Sequence, residues 1–270
     1  MKPSWCWAGA RAIGTAHLES GTPCQDAFAV HALRLASGSE VLVASLADGA
    51  GSAERADAGA RLATSVSVEV AAEALADGAA NVKDAAALLR FAAEQARLAV
   101  AALAGHEEQD VADFASTLLL ALLHAEGGAI GQIGDGAIVA RNGGGIWQPI
   151  VWPDHGEYVN TTRFLTDPDA FDHLHVEEVH GCVDSVCLFS DGLERLVLDL
   201  RARTAHAPFF DAIFQRLGDD PQPGHAAQVS RDLTALLGSE AVNSRTDDDK
   251  SILCATLLRP GNGADRSAEG

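Results

Sequence analysis

The sequence predicts an α+β layered domain built on antiparallel sheets. Three observations carry the prediction. Apolar runs of strand length make up most of the chain, two long helical patterns interrupt them between residues 53 and 105, and a second helical pair follows after residue 207. No internal repeat or break in composition divides the chain, so residues 1–259 are expected to form one domain, with 260–270 a loose tail.

The first strands are expected at 28–35 and 41–47. An alanine bias then favours helix. Leu62, Val66, Val70 and Ala74 recur every four residues, with Gly78 placed to end the helix in a left-handed cap. Residues 81–84 can cap a second helix whose expected inner face is Leu88, Phe91, Gln95, Leu98 and Ala102, stopped by Gly105. The short connection makes the two helices antiparallel neighbours. Further strands are expected at 116–123, 129–133, 137–141, 146–150, 186–190 and 252–258, and the second helical pair at 208–217 and 224–237. Asn142-Gly143-Gly144-Gly145 separates two of these strands and is a hairpin signal.

Composition excludes several function classes. With 47% hydrophobic and 21% charged residues, the chain falls outside the disordered, collagen-like and coiled-coil classes. Its longest apolar strings, such as 116–123, are far shorter than the roughly 18 residues of a membrane span. The opening Met1-Lys2-Pro3-Ser4-Trp5-Cys6-Trp7 has one basic residue, no apolar stretch of export length and no small-residue cleavage site, which argues for a soluble cytoplasmic protein. The five cysteines (Cys6, Cys24, Cys182, Cys187, Cys254) are odd in number and form no Cys-x-x-Cys, as expected for reduced thiols in such a compartment. A formal charge of -19 repels phosphate backbones and anionic lipid, so neither nucleic acid nor membrane is an expected partner.

The informative aspartates stand at strand ends. The run 41–47 stops at Asp48-Gly49-Ala50-Gly51, and the run ending at Ser190 stops at Asp191-Gly192. Asp247-Asp248-Asp249 instead precedes a strand, and in antiparallel neighbours the end of one strand and the start of the next share an edge. Asp48, Asp191 and Asp248 are therefore expected to converge. Asp26 opens another strand and Asp135 sits in the tight turn Gly134-Asp135-Gly136, so both are candidates for the same rim. Taken singly, each is also an ordinary turn residue. Glycine lets the backbone approach a ligand and offer its carbonyl, which suits Gly49. An all-oxygen donor set favours Mg²⁺ or Mn²⁺ over zinc. No His-Glu-x-x-His or EF-hand pattern is present, and His173, His175 and His180 read as exposed alternation beside a strand. There is no Gly-x-Ser-x-Gly elbow and no cysteine in a phosphate-cradling loop, which argues against a covalent nucleophile.

Six motifs, in order, carry a family resemblance: Gln25-Asp26-Ala27, Asp48-Gly49-Ala50-Gly51, Ser116-Thr117 opening a strand, Gly134-Asp135-Gly136, Ser190-Asp191-Gly192 and Asp248-Asp249-Lys250-Ser251. Over residues 5–258 the sequence resembles the metal-dependent Ser/Thr protein phosphatases of the PP2C type, most of all a bacterial branch. The resemblance implies a four-layer α-β-β-α sandwich with two central antiparallel sheets and a metal site at one end. It implies two Mn²⁺ or Mg²⁺ ions, bridged by Asp48, with the Gly49 carbonyl on one and Asp191 and Asp248 completing the other. Asp26 would act directly or through water, and Asp135 matches the acidic position of a third, weaker site. The implied reaction is hydrolysis of phosphoserine or phosphothreonine by metal-activated water, and the implied substrate is a phosphoprotein, such as a Ser/Thr kinase or its target. A monomer is expected. Residues 156–166 lie where the family carries a mobile flap, and their plain alternative is an irregular loop leading into a strand.

The chain also departs from the family pattern. His17 stands where members usually place an arginine that grips phosphate, and an imidazole lacks that residue's two-pronged fork. His17 is therefore a candidate phosphate contact, with a histidine bonded to its own loop as the alternative. Gln25 replaces a frequent Glu, and Cys24 a frequent Asn. These departures leave two other functions open: a weak or inactive regulatory module of the same fold, and a metal hydrolase of small phosphoesters.

Overall fold

The computed structural model describes residues 2–143, 145–153, 162–219 and 221–259. The first half of the chain runs β1 (Ser4–Ala12), α1 (Thr15–Ser20), β2 (Ala27–Arg34), β3 (Glu40–Ala47), α2 (Ala56–Ala76), α3 (Ala85–His106), β4 (Leu118–His124), β5 (Gly127–Ile133), β6 (Ala137–Arg141) and β7 (Gln148–Val151). The second half runs β8 (His175–His180), β9 (Ser185–Phe189), α4 (Glu194–Val197), β10 (Leu198–Asp199), β11 (Thr204–Ala205), α5 (Ala207–Asp219), β12 (Gly224–His225), α6 (Ala227–Leu237), α7 (Glu240–Asn243) and β13 (Lys250–Leu258). Two sheets result, ordered β12-β1-β13-β9-β6-β7 and β2-β3-β4-β5-β8, with β10 and β11 forming a separate small hairpin. Every pairing in the two sheets is antiparallel except that of β1 with β12.

The sheets stack face to face and helices cover both outer faces. On β3, Leu42, Ala44 and Leu46 meet Leu253, Ala255 and Leu257 of β13 between the sheets, while Val41 and Val43 point outward into a core shared with α2 and α3. On β13 the outward residues Ile252 and Cys254 pack with Phe210, Phe214 and Leu233 of α5 and α6. The layers are therefore α-β-β-α, as expected. Burial on both faces explains why these strands read as continuous apolar runs rather than as alternation. Among the described residues no helix is long and apolar enough to cross a membrane.

Several expectations need correction. The inner face of α3 is not Leu88, Phe91, Gln95, Leu98 and Ala102: of these only Leu88 is buried, while Phe91 is 47% and Leu98 62% exposed. Ala92, Ala93, Ala96, Val100 and Ala104 face inward with Leu88 and Leu89. In α2 the expected stripe Leu62, Val66, Val70 and Ala74 is only partly buried, flanking a centre of Ala60, Ala63, Thr64, Ser67 and Ala71. Small residues hold the contact lines and let helix and sheet approach, as at Gly59, where a Cβ would lie 2.0 Å from the Phe114 carbonyl oxygen. Strand β1 was not expected, yet it pairs with β13 along its whole length. The expected strand 146–150 begins instead at Gln148 and leaves Ile146 82% exposed, and Gly224 pairs with β1 rather than opening α6. Gly78 does adopt the left-handed conformation (φ +72°) just past α2. The histidines of β8 are exposed on an edge strand, in line with the reading of alternation.

The reassigned face of α3 can be checked by urea unfolding. Leu98→Gln is expected to change stability by no more than about 0.5 kcal/mol, whereas Ala96→Leu is expected to cost about 1–3 kcal/mol by overpacking.

Candidate metal centre

Strand pairing gathers the aspartates at one end of the sandwich. Ala27 of β2 faces Ala47 of β3, so Asp26, just before β2, and Asp48, just after β3, occupy the same end of that pair. In the other sheet Phe189 of β9 faces Ile252 of β13 and Ala137 of β6, which brings Asp191, the 247–249 turn and Asp135 to that end. The turn carrying Asp135 passes from β5 in one sheet to β6 in the other, so the rim is built from both layers.

Backbone contacts fix the Asp48 segment. Its N–H donates to Thr117 Oγ1 (2.9 Å), its carbonyl accepts from the Thr117 N–H (2.8 Å), and Gly49 bridges to Ser116. A Cβ on Gly49 would lie 2.8 Å from the side chains of both Gln25 and Ala56, so only glycine fits there. On the opposite side, Ser190 Oγ donates to Asp26 Oδ2 (2.7 Å) and accepts from the Ser251 N–H (3.0 Å), tying the β9 and β13 ends to Asp26.

The carboxylates meet in pairs. Asp48 is in hydrogen-bonding contact with both Asp26 and Asp191, an arrangement that requires a proton between two groups that would otherwise repel. Burial raises the Asp26 carboxyl to about 7, against the opposing hydrogen bond from Ser190. Asp191 is raised to about 6, first by burial, with the charges of Asp135 and Asp248 adding to it. Burial and the charges of Asp26 and Asp191 hold Asp48 well above the ordinary carboxylate range, and burial also raises Asp248. Asp135 is buried and accepts from Thr162 Oγ1 (2.6 Å). Of the expected flap, residues 156–161 lie outside the described residues, so Thr162 is its first described contact with the rim.

Among the described residues no three Asp, Glu, His or Cys side chains close around one point. The donor set nevertheless fits hard divalent cations. It is all oxygen, and Asp26 Oδ1, Asp191 Oδ1, Gln25 Oε1 and Ser116 Oγ are buried without a hydrogen-bond partner. A cation would replace the shared protons and satisfy these oxygens.

The residue that sequence reasoning missed is Asp249. It is 1% exposed, and its carboxylate accepts from Gly14 N–H (2.6 Å) and Gln25 N–H (2.5 Å) and meets His17 Nδ1 (2.9 Å). One side chain thus holds both ends of the α1 loop and the expected phosphate contact. A signal for it existed: Leu257, Ala255 and Leu253 share the inward face of β13, and the same period of two, followed back through Ser251, puts Asp249 inward. His17 is therefore bonded across the fold rather than to its own loop. Lys250 was also missed. It is fully buried beside this turn and donates to Asn243 Oδ1 (2.9 Å).

An oxygen-only acidic rim at one end of an α-β-β-α sandwich suits a hydrolase that works through bound divalent cations. The family described as protein phosphatase 2C matches residues 13–238. Serine/threonine-protein phosphatase 3 of Escherichia coli (strain K12) is 35% identical over 252 residues, spanning 93% of this chain and 98% of that protein. In fold, the chain is similar to a bacterial serine phosphatase (TM-score 0.62, 17% identity, 93% of this chain and 97% of the other). It is also similar to the catalytic domain of the phosphatase PstP in complex with two manganese ions (TM-score 0.59, 18% identity, 96% and 100%). The chain belongs to the protein phosphatase 2C family, the metal-dependent protein-serine/threonine phosphatases, and uses a divalent metal cofactor.

The raised carboxyls set the sign of a pH effect. Carboxyls of an unfolded chain titrate near 3.9, so between about pH 4 and 7 the folded, metal-free chain holds protons that the unfolded chain has released, and its stability falls as pH rises. In the presence of a chelator, Tm is expected to drop between pH 5 and 7.5. Added Mn²⁺ is expected to raise Tm more at pH 7.5 than at pH 5, because binding must displace those protons. A metal-free Tm that climbs across this window would contradict the buried pairs.

Proposed function

We propose that this chain removes phosphate from phosphoserine and phosphothreonine of a protein substrate at the rim formed by Asp26, Asp48, Asp135, Asp191 and Asp248. The observation that carries this reading is the pairing of buried Asp26 with half-buried Asp48 and Asp191 beside carboxylate oxygens without partners, a constellation that a closed structural core has no use for. Asp48, the shared member of both pairs, would hold two ions together with the Gly49 carbonyl, Asp191 and Asp248. Asp26 would serve one ion directly or through water, and Asp135 would serve a third, weaker site. Mn²⁺ and Mg²⁺ both suit the donors. When bound, the ions neutralise phosphoryl charge and acidify water near neutral pH.

The protein's own groups supply orientation. Asp249 holds His17 Nδ1, which fixes the imidazole and leaves Nε2 for a phosphate oxygen. This carboxylate partner fixes the ring in place, which compensates in part for the absence of arginine's two-pronged fork. The Thr117 clamp and the Ser190 tie keep Asp48 and Asp26 in register without taking part in the chemistry. We further propose that residues 1–259 act as one catalytic domain, monomeric and cytoplasmic, on a Ser/Thr kinase or its target. The presence of His17 in place of arginine favours one second reading, a weak or inactive regulatory member of the family.

Phosphate release from a phosphothreonine peptide decides between them. Activity is expected with Mn²⁺, abolished by chelation, and reduced at least about a hundredfold in Asp191→Asn. Metal bound without turnover would instead establish the regulatory module, and turnover of small phosphoesters alone would point to a different substrate class. His17→Gln is expected to raise KM several-fold, and Asp249→Ala to do the same without removing the imidazole.

A further inference from the structure

Carboxylates outnumber cationic side chains 38 to 19, so most guanidinium groups find a partner. Arg34 pairs with Glu40, Arg55 with Glu107 and Arg216 with Asp232, and Arg203 lies over Trp152. Among the described residues, Arg195, Arg201 and Arg245 take no ion pair, side-chain hydrogen bond or ring contact, and all three line one pocket of about 400 Å³. Leaving three guanidinium groups together in a strongly acidic protein is unfavourable unless an anion joins them.

The pocket adjoins the metal centre through the chain itself. Arg195 lies on α4, four residues beyond Asp191, and Arg245 three residues before Asp248. Three residues of chain reach at most about 11 Å, so the turns that carry two of the site's carboxylates also carry the pocket wall. Arg201 comes from the β10–β11 hairpin, and His206 adds a ring. One carboxylate also lines the pocket, but Asp199 Oδ1 is engaged by the Arg201 and Ala202 N–H groups (3.0 and 2.9 Å).

We propose that this pocket is an accessory anion site for a second phosphorylated residue of the same substrate, about three to five residues from the one being hydrolysed. The spacing follows from the chain reach of about 11–14 Å between Arg245 and Asp248 and between Arg195 and Asp191, which an extended peptide at about 3.3 Å per residue spans in about three to four residues, with one more for the length of the arginine side chains. Three guanidinium forks match a dianionic phosphate better than a monoanionic carboxylate. The inference rests on the phosphatase reading and names a preference within it.

The test uses the Mn²⁺-loaded protein and peptides that share one phosphothreonine. One carries nothing else, and others carry a non-hydrolysable phosphonate, or Glu, four residues to either side. In at least one phosphonate peptide kcat/KM is expected to rise about tenfold over the singly modified peptide, through KM, and the advantage is expected to shrink in high salt. In the double variant Arg195→Gln, Arg245→Gln the ratio between the two peptides is expected to fall to within about twofold of one. Because each protein is compared with itself, partial loss of folding cancels. Equal rates for the two peptides in the wild type, an unchanged ratio in the variant, or an equal response to Glu would overturn the proposal. Failure to hydrolyse any of these peptides, with or without turnover of p-nitrophenyl phosphate, would overturn the protein-phosphatase reading on which it rests, a result distinct from hydrolysis without preference.

Discussion

Mutual repulsion among buried carboxylates is the constraint around which this end of the molecule is arranged. Asp26, Asp48 and Asp191 are held in contact, with Asp248 nearby, by strands whose register cannot slip without turning apolar side chains into solvent. The energy that keeps the acids together is therefore paid out along the whole sandwich, in the interlock of Leu42, Leu46, Leu253 and Leu257. The site is rigid in backbone and strained in charge, which is the state a cation relieves. Metal binding and fold stability are two views of one equilibrium.

The second organising element is the inward carboxylate of Asp249. A loop that leaves β1 and returns at β2 has no apolar anchor, since α1 has no buried residue, and besides Asp249 it is held by the Ala16 N–H bond to the Asp247 carbonyl oxygen (3.0 Å). Gly14 makes this closeness possible, because a Cβ there would lie 2.3 Å from the Asp247 carbonyl oxygen. The phosphate-facing loop is thus fastened to the strand that carries the metal-site turn, and the position of His17 follows the position of Asp248. A substitution at either end of this contact should be felt at the other.

What the sequence made legible was decided by the kind of signal each residue carried. Asp48 and Asp191 could be found because a fully buried strand ends abruptly at an acid followed by glycine, a pattern visible along the chain. Asp249 looked like one of three equal acids, and only the period of β13 separates it from its neighbours. The faces of α2 and α3 do not follow their largest apolar side chains, because close packing puts alanine at the contact with the sheet. Strand β1, rich in small residues and interrupted by Gly9, owes its existence to β13 rather than to its own preference. The three pocket arginines are spread over 50 residues and gave no pattern at all until folding assembled them.

The polar strand β8 closes one edge of the five-stranded sheet, and its character matters beyond the single molecule. His175, Glu177, Glu178 and His180 are mostly exposed along it, with side-chain exposures from 52% to 84%. An edge with open backbone groups is a template onto which another chain can add, and charge along it discourages that addition. With two carboxylates and two imidazoles spaced along only six residues, this border is a poor match for the apolar side chains an added strand would bring, and that guard lies in side chains the fold itself does not need.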